Sequence, residues 1–385
     1  MDPFQRLPVE LMLQILEDTA DFVGVESLTS VPRPARAAFH MDSWAIMHVI
    51  SALNPITSQP EVRVLISNIV VVHKRLHKTT LVTEELEASQ RAWRQEIACF
   101  LLHIAAQIQR LACVCLSRLR QEFASAVGAS PLHAQRANGP FSWIEEYRIY
   151  WARWHLRSYS DVHKFKEEQF SVWETTGRLK SRFSRDIDVY PTSDGVFDFL
   201  KEAIWAVAIT VEDLQACSPS EFPQRVLRPE HRSILSWNNE IDTPFFTSFE
   251  LPRSTETQYP IWSPPPVPTQ NLVTSCWFLL PDHCKQPPAQ MSLFRSLRFQ
   301  VMRRGTNKRG MDDILRYRRC GVLLWDKWRM FSTGLYPNTF RERVPTPDGG
   351  FVDPGGPEAR LSTSCLEKWL AVRDPWMQTN GWQLA

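Results

Sequence analysis

Apolar side chains along this chain recur at the spacing of helices rather than at the alternation of strands. The clearest run is Trp93, Ile97, Phe100, Ile104, Ile108, Leu111, Cys115, Leu119 and Phe123, whose steps of three and four residues set one apolar face on a long helix. Thr83 suits its N-cap, Glu84 and Glu85 suit the dipole of its first turn, and Gly128 ahead of Ser130-Pro131 suits its end. A second helical block is expected from 141 to about 183, dense in aromatics that include Trp143, Tyr147, Trp151 and Trp154, and a third from 196 to about 217. Short helices separated by turn residues fill the first 55 positions, where Pro55 and Pro60 punctuate the chain. Ten prolines lie between Pro244 and Pro288, so extended, surface-wrapping loops are expected there rather than long helices or central strands. Short helical stretches resume around 312–317 and 325–331. The expected fold is mainly α. It has a three-helix N-terminal module in residues 1–55, a helical domain in 56–240, and proline-rich loops with short helices in 241–385 that pack on the helical domain.

The first helix has more apolar surface than its own module can cover. At about 100° per residue, Leu7, Leu11 and Ile15 fall at roughly 0, 40 and 80°, while Met12, Leu16, Val9 and Leu13 fall at roughly 140, 180, 200 and 240°. Glu10, Gln14 and Glu17 share the narrow remainder. A surface helix needs an apolar stripe only a little over about 100° wide, so this one must be covered on two sides. A segment of about 50 residues, close to the lower limit for independent folding, covers one side. The other requires a further domain or another protein.

The run Phe4-Gln5-Arg6-Leu7-Pro8-Val9-Glu10-Leu11-Met12-Leu13-Gln14-Ile15-Leu16 resembles the opening of the F-box, whose pattern is Leu-Pro-x-Glu-Leu followed by an Ile-Leu pair. Leu28-Thr29-Ser30-Val31, followed by Arg33, Arg36 and Phe39, is similar to its second half, and the resemblance covers about residues 2–50. It implies a three-helix F-box that docks on the adaptor protein Skp1, and through it on a cullin and RING ubiquitin ligase. By that resemblance Leu7, Pro8, Leu11, Ile15, Leu16 and Val31 are the Skp1-contacting residues. Pro32 and Pro34 depart from the pattern, and because proline disfavours helix at the residue before it, the third helix is expected to begin near Pro34. The run Leu315-Arg316-Tyr317-Arg318-Arg319-Cys320-Gly321-Val322-Leu323-Leu324-Trp325-Asp326 is similar to a segment of fungal F-box proteins and implies no activity. An adaptor of this kind supplies proximity between a target and a ubiquitin-loaded enzyme rather than bond chemistry. Its target-binding surface is expected in the aromatic block, at Trp143, Tyr147, Trp151 and Trp154, or in the proline-rich wrap, since aromatics dominate interface energetics.

Composition narrows the remaining classes. With 44 Lys and Arg against 42 Asp and Glu in 385 residues, the net charge of +2 gives no whole-protein pull toward a polyanion. The start of the chain lacks a basic leader followed by an apolar block, so a secretory signal is not expected. The apolar stretch 97–116 is interrupted by His103, Gln107, Gln109 and Arg110, each costly in hydrocarbon, and no membrane span is expected. Eight scattered cysteines read as reduced thiols, placing the protein in cytosol or nucleus.

Catalytic signatures for acyl transfer, dinucleotide binding, phosphate loops and zinc proteases are missing from the sequence, and neither a metal nor a cofactor is expected. His73 and His77 share a helix face without a third ligand, and Cys113 and Cys115 point about 200° apart. The rival class is a nucleic-acid-binding or scaffold protein. It would use the basic stretch 295–319, with Arg303, Arg304, Lys308 and Arg309 at its centre, or the arginines Arg148, Arg153 and Arg157 among the aromatics.

Overall fold

The computed structural model describes residues 7–30, 33–77, 86–127, 135, 137–173, 206–207, 319–322, 324–333, 335, 344–345 and 351–352. The protein is mainly α. Helix α1 is Val9–Asp18, α2 Phe22–Ser30, α3 Arg33–Met41, α4 Ser43–Leu53, α5 Pro60–His77, α6 Leu86–Val127, α7 Trp143–Trp173 and α8 Lys327–Ser332. Two residue pairs, Val344 opposite Val352 and Pro345 opposite Phe351, form a small antiparallel ladder. The third expected block, 196–217, lies outside the described residues except for the buried Ala206 and Val207, and so does the proline-rich stretch 244–288.

The described residues fall into two compact units, one of 7–113 with 153–173, the other of 114–152 with 206–207 and 319–352. In the first unit, α1 rests on α3 and α4, and α2 rests on α3. Four helices stand where three were expected, because Asp42 breaks the third: its carboxylate accepts the Ala45 N–H at 3.3 Å and caps a new helix. Helix α3 starts at Arg33, which seats Pro34 in a first turn where its missing N–H costs nothing. Nor is Pro55 a loose boundary. Asn54, Ile56 and Thr57 are buried, Asn54 Oδ1 accepts the N–H groups of Ile56 and Thr57, and its Nδ2 donates to the Ala20 carbonyl at 2.8 Å. The N-terminal helices share a compact unit with α5 and the first part of α6.

Helix α6 follows the apolar period read from the sequence, with Ile97, Ile104, Ile108, Leu111, Cys115, Leu119 and Phe123 all buried. Its stretch Ala92–Val127 is long and apolar enough to cross a membrane, but 72% of its most apolar window is buried against the rest of the chain. Its apolar surface is thus engaged in protein packing.

In the second unit, a segment distant in sequence clasps the N-terminal turns of α7. Gly321, at φ +60, turns the chain so that Trp325 enters the core, where its Nε1 donates to the Cys320 carbonyl at 2.8 Å. Arg148 donates to the carbonyls of Leu324 at 2.9 Å and Trp325 at 2.8 Å. Arg329 grips Glu145 through Nε and Nη2, both at 2.8 Å, and also donates to the carbonyls of Ala137 and Pro140. Cys320, Val322, Leu324 and Trp325 of the C-terminal motif are therefore core structure.

Candidate protein-docking surface

Helix α1 begins directly after Pro8, whose carbonyl accepts the Met12 N–H at 3.1 Å, and Glu10 sits in its first turn where a carboxylate suits the dipole. Its C-terminal end is closed by Thr19, whose hydroxyl donates to the Ile15 carbonyl at 2.6 Å. Between these ends the two apolar faces have different fates. Met12 and Leu16 are completely buried, and α1 packs on α3 and α4, whose Ala38, Phe39, Ile46 and Met47 are buried as well. Leu11 remains 47% exposed and Val9 37%, while Leu7 and Ile15 are partly exposed. Leu11 and Ile15 stand on the outward side of α1, Leu7 lies just ahead of the helix, and Glu10, Gln14 and Asp18 are exposed. Further exposed apolar side chains stand at Met41 and Trp44, where α3 gives way to α4.

The sequence-derived contact set divides accordingly. Leu11 and Ile15 lie on the accessible side of α1, with Leu7 partly exposed and Pro8 exposed just ahead of the helix. Leu16 is corrected: it is completely buried, about 100° round the helix from Ile15, in a helix that packs on α3 and α4. Val31 lies outside the described residues.

The aromatic candidates are corrected as a group. Trp143, Tyr147, Trp151 and Trp154 are 4, 0, 6 and 2% exposed, so they are core side chains and not a target-binding surface. Trp143 and Tyr147 stack with their ring centroids 5.0 Å apart. The arginines among them are also engaged, Arg148 with two carbonyls and Arg157 with Asp161 at 2.9 Å, while Arg153 is buried. They offer no open cationic face for stacking on bases. Arg303, Arg304, Lys308 and Arg309 lie outside the described residues.

His73 stacks on Phe100 at 3.7 Å between ring centroids, and Cys113 and Cys115 are buried thiols. Among the described residues no three His, Cys, Asp or Glu side chains gather as a metal site.

Sequence reasoning missed how α2 is held. Asp21 Oδ1 accepts the Val23 N–H at 3.0 Å, and the buried Gln109 of α6 accepts the Phe22 N–H at 3.0 Å and donates to Asp21. Glu26 accepts from His103 Nδ1 at 2.8 Å and from Arg110. The only signal in the sequence was the interruption of an apolar run by polar residues. Compared with known protein families, with curated proteins and with solved structures, the chain matches none.

Proposed function

We propose that this protein is the substrate-recognition adaptor of a Skp1–cullin–F-box type ubiquitin ligase, docking on Skp1 through the outward stripe of α1 and holding a protein target elsewhere on the chain. The observation that carries the reading is the divided fate of α1. Met12 and Leu16 are completely buried, yet Leu11 keeps 47% of its surface in the folded chain, with Ile15 on the same side of the helix and Leu7 just ahead of it both partly exposed. Single exposed apolar residues are ordinary, but Leu11 and Val9 exposed together with the partly exposed Leu7 and Ile15 make a local apolar patch of the kind a partner covers. That patch coincides with the Leu-Pro-x-Glu-Leu motif.

The chain acts as a non-catalytic adaptor in cytosol or nucleus, and its contribution is to raise the effective concentration of target lysines near the loaded enzyme. The test is binding of the purified full chain to purified Skp1. A one-to-one complex that Leu11→Asp and Ile15→Asp each disrupt supports the adaptor role; a folded chain that does not bind Skp1 refutes it.

A further inference from the structure

We infer that α6 belongs to the docking apparatus and that Gln109 is the positioning residue through which it holds α1 in place; this rests on the adaptor reading above. Gln109 is 1% exposed, and both ends of its amide are used on the turn between α1 and α2. Its Oε1 accepts from the backbone N–H of Phe22, the first residue of α2, a group with no acceptor inside the helix. Its Nε2 donates to Asp21 Oδ1, the same oxygen that accepts the Val23 N–H. From the other side Asn54 Nδ2 holds the Ala20 carbonyl.

The turn is thus pinned on two sides by residues distant in sequence. One helical turn further on, Glu26 ties α2 to His103 and Arg110 of the same helix. Thr19, which closes α1 on the Ile15 carbonyl, stands at the start of this turn, so the lock bears on the end of α1 that carries Ile15. A docking stripe binds tightly only if it is held in its bound position beforehand, because ordering it on binding opposes association.

The test uses the full chain and exchanges donor for acceptor. Gln109→Glu sets a second carboxylate against Asp21; amide hydrogens of 19–25 are expected to exchange about tenfold faster, and Skp1 affinity to fall about tenfold. Adding Asp21→Asn removes the opposing charge while its oxygen still accepts from Val23, and both readouts are expected to recover in part toward the wild type. Exchange at 143–150 serves as the unchanged control. If the single carboxylate prevents folding, Gln109→Met, of similar length without polar side-chain hydrogen bonds, is expected to act in the same direction.

Unchanged exchange at 19–25 in these variants overturns the inference, as does failure of the paired substitution to restore either readout. Faster exchange with an unaltered Skp1 affinity overturns it while leaving the adaptor reading intact. A wild-type chain that does not bind Skp1 removes the adaptor reading and this inference with it.

Discussion

Leu11 and Met12 are neighbours in the chain and differ in one respect that can be measured. Met12 is completely buried, whereas Leu11 is 47% exposed. Truncating Met12 to alanine opens a cavity beneath α1 and should cost about 2–5 kcal/mol of stability. Full burial of a leucine side chain contributes roughly 1.5–3 kcal/mol, and about half of that is realised by Leu11 in the free chain. Leu11→Ala should therefore cost about 1 kcal/mol of stability and forfeit about 1 kcal/mol of docking energy, a roughly fivefold loss of affinity. Leu11→Asp places a carboxylate where it would be desolvated on docking, a penalty of about 2 kcal/mol or more and hence at least about a thirtyfold loss. Urea unfolding gives the stabilities, and titration calorimetry with purified Skp1 gives the affinities. The reasoning fails if Leu11→Ala destabilises the chain as much as Met12→Ala, or if Leu11→Asp binds Skp1 like the wild type.

Other outcomes test the rest of the structure. Arg329→Met leaves Glu145 buried without its cation and the Ala137 and Pro140 carbonyls without their donor, so urea unfolding should show a loss of about 3–5 kcal/mol. Gly321→Ala meets both the φ of +60 and Leu119 Cδ2 at 3.2 Å from its added Cβ, and a fall in stability of about 1–2 kcal/mol is expected in the same assay. Burial and the neighbouring Glu145 charge push the Asp326 carboxyl up to about 6, while burial pushes His155 down to about 4. Asp326 therefore adds stability as pH falls through about 6 toward 4, and His155 removes it as pH falls from about 6.5 toward 4. The two act with opposite sign, each on the order of 3 kcal/mol. Urea midpoints across this range should drop steeply on acidification in Asp326→Asn and rise in His155→Gln; slopes parallel to the wild type in both would contradict the assignment.

Local period was legible, but the identity of the covering partner was not. The spacing from Trp93 to Phe123 marked α6, and the aromatic block marked α7, because helical periodicity is written in the residues that carry it. Periodicity also showed that α1 has two apolar faces. It could not say which face α3 and α4 would take; it is the F-box resemblance that puts Leu16 in one contact set with Leu11, whereas the structure buries Leu16 and leaves Leu11 exposed. Within the aromatic block, Arg148 is held by a clasp 176 residues later, at the Leu324 carbonyl; no local pattern announces such a contact. Gln109 and Arg110 read only as interruptions of an apolar stretch, although they are the groups that hold the N-terminal helices to α6.

The account depends on the outward side of α1 being a partner-binding surface. The most direct measurement is amide hydrogen exchange of the full chain with and without saturating purified Skp1. The account predicts a complex in which peptides covering 7–18 gain protection while those covering 143–158 stay unchanged. A complex that protects other residues and leaves 7–18 unchanged, or no complex with a chain whose α1 is folded, would contradict it.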